Sequence, residues 1–134
     1  MTDLFLELET LEVSFIEKQI VRFFIKDFCE LKLSDAKKAT AFLTKYYEEN
    51  NKDYNFMNLL EFGNGATINR EIREYAVSDA GNNYSRGTAI LVKNMAQQLI
   101  GDYYLRFNIP RYPTKIFYQE DKAVSWIKKM LEVG

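Results

Sequence analysis

The stretch GTAILVKNMAQQLIGDYYLRFNIPRYPTKIFY, residues 87–118, decides the fold. Thr88 to Val92 is a short apolar run after a loop rich in Gly, Asn and Ser, and reads as a buried strand. Asn94 is placed to cap a helix. Met95, Leu99, Tyr103 and Phe107 then recur every four residues, with Ala96 and Ile100 widening the stripe, which predicts a helix burying that face. Asn108-Ile109-Pro110 ends the helix, because the residue before a proline resists the α region. Pro113 opens the run Thr-Lys-Ile-Phe-Tyr, and a strand tolerates proline at its first position. Strand, helix and strand make a βαβ unit, with a right-handed crossover and parallel strands.

Upstream, residues 4–8 and 11–16 alternate apolar with polar, the period of half-buried strands. Residues 20–25, IVRFFI, are β-branched and aromatic and pair back on the preceding strand through a turn at 17–19. Cys29, Leu31 and Leu33 alternate again, as in a short extra strand. The period then changes. Ser34 or Asp35 caps a helix whose apolar positions include Ala36, Ala39, Phe42, Leu43 and Tyr47, and Asn50-Asn51-Lys52-Asp53 is a turn that ends it. Residues 55–62, NFMNLLEF, read as a central strand cut off by Gly63-Asn64-Gly65. Ile68, Ile72, Tyr75 and Ala76 have helical spacing, with Asn69 or Thr67 as N-cap. Residues 79–87 form a polar loop. After the βαβ unit, Glu120-Asp121 start a last helix that buries Ala123, Val124, Ile127, Met130 and Leu131, with Trp126 beside the stripe. The expected architecture is α/β: a mixed sheet of about five or six strands, an N-terminal antiparallel hairpin and about four helices in layers. Residues 1–134 read as a single domain.

Composition removes several chemistries. The chain has no histidine, so Ser-His-Asp and Cys-His catalysis and histidine zinc sites are excluded. Cys29 is the only cysteine, so no disulfide forms within the chain and a reducing compartment fits. A net charge of −1 supplies no basic field for nucleic acid. The start MTDLFLELETLEV lacks the basic region of a secretory signal, and no apolar run reaches the length of a membrane span. A cytoplasmic protein is the simplest reading. Gly63-x-Gly65 lacks the third glycine and the lysine of the nucleotide-binding fingerprints, so no cofactor is implied.

The back half, INREIREYAV at 68–77 and TAILVKNMAQQLIGDYYLRFNIPRYPTKIFYQEDKAVSWIKKML at 88–131, resembles a group of small uncharacterised bacterial proteins common in Bacteroidetes. Those proteins are similar to the STAS domain, the fold of anti-sigma-factor antagonists and of sulfate-transporter tails. Ile100-Gly101, Asn108-Ile109-Pro110, Pro113 to Phe117, and the acidic start and single Trp of the last helix carry the likeness. The resemblance implies a STAS-like fold; in the antagonists a Ser or Thr after a central strand, usually following Asp, is phosphorylated by a partner kinase. Here the equivalent junction, Glu61 to Asn69, has no Asp-Ser pair, and Thr67 is its only hydroxyl.

Three functions compete. The leading one is a non-catalytic regulatory protein acting through protein–protein contacts, with a protein partner of unidentified kind or a second copy of itself. Its candidate residues are Thr67 and Asn69, as a regulatory or anion-binding loop, and Arg106, Arg111 and Lys115, as an interaction rim. The loops at 63–69 and 79–87 are expected to meet at the strand ends, where α/β folds bind ligands. The second is a small apolar-ligand binder with a pocket between sheet and helices, lined by some of Phe42, Tyr46, Tyr75, Tyr103 and Phe107. The third is an enzyme using Glu61, an acid inside an apolar strand, as general base. Alternation equally sends Glu61 to water or to an arginine. No nucleic-acid or membrane partner is expected.

Overall fold

The computed structural model describes residues 3–17, 19–50, 56–81 and 85–132. The turn expected at 51–53, Lys18 and the middle of the 79–87 loop lie outside these residues. Six strands form one sheet in chain order. Strand β1 (Asp3–Glu7), β2 (Leu11–Glu17) and β3 (Ile20–Ile25) make an antiparallel meander. Strands β4 (Phe56–Phe62), β5 (Ser85–Leu91) and β6 (Thr114–Phe117) then add in parallel. Helices α1 (Leu33–Asn50), α2 (Arg70–Ala76), α3 (Met95–Phe107) and α4 (Glu120–Glu132) fill the connections and the end of the chain. The βαβ unit is therefore present as β5–α3–β6.

Strand alternation sorts the side chains into two cores. Val13, Val21, Phe62 and Ile90 face α1, α2 and α3, where Leu43, Tyr47 and Ile72 are buried. Ile20, Met57, Leu59 and Leu91 face α4 and close on Ala123 and Ile127. Burying one such Ile side chain stabilises the fold by about 2–3 kcal/mol. Trp126 packs on Phe117, with ring centres 5.7 Å apart.

Three expectations change. Cys29 and Leu31 form no strand: Cys29 N donates to Lys26 O, Cys29 O and Leu31 N bond to Thr67 in an isolated bridge, and Leu33 already opens α1. Asp35 is not the cap of α1 but sits inside its first turn. Its buried carboxylate accepts from Thr10 N at 2.8 Å and from Thr10 Oγ1 at 2.5 Å, tying the helix to the β1–β2 turn. Because β4 and β5 are parallel, the loop leaving β4 and the loop entering β5 lie at opposite ends of the sheet, so 63–69 and 79–87 do not share a strand end.

The largest departure is in α3. The face against the sheet carries Gln97, Ile100, Gly101 and Tyr104, not the apolar stripe. Gly101 makes this approach possible: a Cβ there would lie 2.8 Å from Ile116 Cδ1. The stripe of Met95, Leu99, Tyr103 and Phe107 points out, roughly 130° around the helix from the buried face.

Burial pushes the Tyr104 hydroxyl up to about 12 and the Tyr47 hydroxyl higher still. Tyr47 is stacked on Phe56 at 4.4 Å and its oxygen has no hydrogen-bond partner. The folded chain thus keeps two protons that unfolded tyrosines release near pH 10. The unfolded state binds fewer protons above that point, so stability is full below about pH 10 and falls as pH rises towards 12. Denaturant midpoints are expected to hold between neutral pH and about 9 and to drop above 10, with tyrosinate absorbance lagging until unfolding. Midpoints unchanged to pH 12 would refute the burial of both hydroxyls.

Candidate functional site

The loop after β4 is built by hydrogen bonds from distant residues. Gly63 N donates to Ile25 O at 2.8 Å, Phe28 N to Asn64 O at 2.7 Å, and Asn64 N to Asp27 Oδ1 at 2.8 Å. Gly65, at φ 65°, leaves room for the ring of Phe28, which is itself in a left-handed conformation at φ 58° and otherwise largely exposed. Thr67 bridges the β3–α1 connection: its N donates to Cys29 O, and its O accepts from Leu31 N, both at 3.0 Å. Its half-buried hydroxyl lies 3.4 Å from Ile68 O. Asn69 is the cap of α2, accepting from Ile72 N at 3.0 Å, while its Nδ2 donates to Glu30 at 3.1 Å. Thr67 and Asn69 are therefore in one loop, with a carboxylate at Asn69.

Gln97 is a functional-looking residue that hydrophobic spacing missed. Its buried Nε2 donates to Gly63 O at 2.7 Å and to Ala66 O at 3.3 Å, and its Oε1 accepts from Lys93 N at 2.8 Å. It fastens the start of α3 to the 63–66 loop. A glutamine three residues after the cap Asn94, in phase with Gly101 and Tyr104, was the available signal.

Glu61 lies on the α4 face of the sheet at the end of β4, among two cations. Arg22 Nε donates to Oε1 at 2.8 Å, with Nη2 on the same oxygen, and Lys93 Nζ reaches Oε2 at 3.2 Å. Both oxygens are occupied, and none of the three residues lines the cavity described below. The geometry is that of an ion triad.

Arg106, Arg111 and Lys115 are not brought together. Arg106 stands on the outer flank of α3 over Phe107, with its guanidinium carbon 5.9 Å from the ring centre. Arg111 pairs with Asp79. Lys115 projects from the other face of β6, with Nζ 5.5 Å from the centre of the Phe117 ring.

The outer surface of α3 is the main exposed apolar feature among the described residues. Met95 is 63% exposed, Leu99 60%, Tyr103 49% and Phe107 62%, and Ile109, just past the helix, is 71% exposed. Ile109 has φ 50°, a conformation that β-branched residues adopt only under strain.

A cavity of about 140 Å³ lies between the sheet and the three helices of its first core. Its floor includes Phe23, Asn58, Leu60 and Thr88, and its roof includes Ala36, Ala39, Ile72, Arg73, Gly101 and Tyr104. Of the five aromatics expected at a pocket, only Tyr75 lines it. Among the described residues, no group of three or more His, Cys, Asp or Glu could hold a metal ion, and no helix is long and apolar enough to cross a membrane.

The fold has a solved counterpart. A crystal structure of an uncharacterised protein from the DUF3478 family, with a SpoIIAA-like fold, from Shewanella loihica PV-4, superposes with a TM-score of 0.63 at 13% identity. The match covers 90% of this chain and 96% of that one. The likeness confirms the STAS-like fold and carries no function. No curated protein matches the sequence. Residues 14–131 match the model of the Domain of unknown function (DUF7793), and the chain belongs to that family.

Proposed function

We propose that this chain is a non-catalytic, STAS-like regulatory protein of the cytoplasm that acts by protein–protein contact, with the outer face of α3 as its contact surface. The observation that carries this reading is the line of Met95, Leu99, Tyr103 and Phe107 along one side of α3, all about half exposed or more, continued just past the helix by exposed Ile109. Together they amount to roughly 500 Å² of apolar surface, near the upper end of what a monomer displays without a purpose. The strained backbone at Ile109, which holds an apolar side chain out in water, points the same way.

The partner inferred is a second copy of the chain. Two such faces would bury about 1,000 Å² in all, the low end for a specific interface. Asp102 and Arg106 lie one turn apart on the same flank of the stripe, so an antiparallel two-fold arrangement sets Asp102 of one copy towards Arg106 of the other. A net charge of −1 adds little repulsion between copies. Asp102 and Asp79 beside the stripe speak against nucleic acid or an anionic bilayer, which call for a uniformly basic flank. Arg106 and Arg111 belong to this rim, and Lys115 to the far side of β6. Thr67 and Asn69 form the proposed regulatory loop, which Gln97 connects to α3.

Light scattering is expected to find a dimer at micromolar concentration, and a monomer with an unchanged circular dichroism spectrum for the Leu99→Asp/Phe107→Asp double variant. A charge in an apolar interface should weaken association at least ~100-fold. A wild-type monomer up to near-millimolar concentration would overturn the second copy as partner. Thr67→Asp should shift the dimer's dissociation constant, and an identical constant would remove the loop from regulation.

A further inference from the structure

The cavity under α1, α2 and α3 has features that ordinary packing defects lack. Phe23, Asn58, Leu60 and Thr88 sit on the inner strands of the sheet beneath three helices, yet all four remain partly exposed. The helical layer therefore does not close over them, and solvent reaches the sheet. The opening arises from small residues: Ala36, Ala39 and Ala76 on the helices stand where larger side chains would fill the space.

Two polar groups at the cavity wall are left without partners. Asn58 Oδ1 and Arg73 Nε are buried atoms that make no hydrogen bond. Asn58 occupies a strand position whose neighbours on the same face, Phe56, Leu60 and Phe62, are all apolar. No carboxylate among the described residues pairs with Arg73, whose guanidinium carbon lies 4.8 Å from the centre of the Tyr103 ring. A buried guanidinium N–H and a buried amide oxygen, both without a hydrogen bond beside an apolar hollow, are costly unless something completes them.

We infer that this cavity is a binding site for a small monocarboxylate whose apolar body is about the size of one benzene ring. The volume sets the body: an engineered cavity of about 150 Å³ with apolar walls takes up benzene. Arg73 sets the charge, since a guanidinium recognises a carboxylate by charge-assisted hydrogen bonds. Asn58 Oδ1 accepts from a hydroxyl or amide donor on the ligand. Tyr104 in the roof is a neutral phenol at pH 7, as any tyrosine is, and adds no competing negative charge. Arg73 meets the outer stripe of α3 at Tyr103, while Leu99 and Phe107 lie outside the cavity lining, so the dimer and this site are tested by different substitutions.

Isothermal calorimetry with benzoate, cyclohexanecarboxylate and uncharged benzyl alcohol tests the assignment. Both carboxylates are expected to bind at sub-millimolar to millimolar concentration, and benzyl alcohol at least ~10-fold more weakly, the loss of one charged hydrogen bond. Arg73→Gln should reduce carboxylate affinity by a similar factor while leaving benzyl alcohol unchanged, which a merely unfolded variant could not do. Ala36→Leu, filling the hollow from α1, should abolish binding of all three. Absence of heat with every probe at millimolar concentration would overturn the site. Equal carboxylate binding by wild type and Arg73→Gln would overturn the role of Arg73 and with it the ligand class.

Discussion

Replacing Glu61 with alanine is expected to lower the stability of the fold by about 2–3 kcal/mol. The carboxylate side chain is 10% exposed and holds Arg22 and Lys93, whose side chains are 26% and 33% exposed. Without it, two cations face each other across the sheet surface with nothing between them. Breaking a fully buried pair costs about 3–5 kcal/mol, and the partial exposure of the two cations, which lets them turn to water, reduces that figure. For a chain of this length the loss corresponds to a fall of roughly 6–12 °C in Tm. Trp126, the single tryptophan, reports the transition in urea. The Arg22→Leu/Glu61→Leu pair should recover most of the loss, since exchanging a partly buried ion pair for apolar groups is close to neutral. A Glu61→Ala protein as stable as wild type would show that the triad contributes nothing and would reopen the carboxylate to other work.

Asn58→Leu is expected to move stability in the opposite direction, raising it by about 1–2 kcal/mol, or roughly 3–8 °C in Tm. Asparagine is a poor strand former, and its Oδ1 is buried without a partner at a cost of about 1–3 kcal/mol. Leucine has the same branching at Cγ and a larger volume, restores the apolar alternation of β4 and fills part of the hollow. Thermal unfolding monitored by circular dichroism checks this. A substitution that stabilises the fold while weakening benzoate binding identifies a position kept polar for a ligand. A destabilised Asn58→Leu protein would mean that the amide is already satisfied within the fold.

The sequence made the backbone plan legible because that plan rests on local periodicity. Alternation at 11–16 and 20–25, the glycines after Phe62 and the stripe of α4 each depend on neighbours within a few residues. The orientation of α3 does not. Its most apolar side is turned out, because contact with the sheet is made through Gly101, which brings the helix close to Ile116, and through Gln97, whose partners are 31 and 34 residues away in the chain. Periodicity records where apolar residues recur; it does not record a face selected by a missing Cβ and a buried amide. Asp35 and Thr10, 25 residues apart, escaped for the same reason. The cavity escaped because it is produced by the smallness of Ala36, Ala39 and Ala76 acting together across two helices. Thr67 and Asn69 were found as neighbours in one loop, but their hydrogen-bond partners, at Cys29, Leu31 and Glu30, lie across a chain separation that spacing does not reveal.

The strand order has a consequence for how the chain assembles. Every ladder joins strands that are consecutive in sequence, so no strand has to insert between two that are already paired. The β1–β3 meander closes through short connections and forms the first template at a small loop-closure cost. Each later strand then docks on the edge left open by the one before, in the order in which a ribosome releases them. The topology thus lets the sheet extend from one edge, and β4 is its first parallel addition: it takes all of α1 as its crossover and carries Asn58 and Glu61 on opposite faces of the sheet.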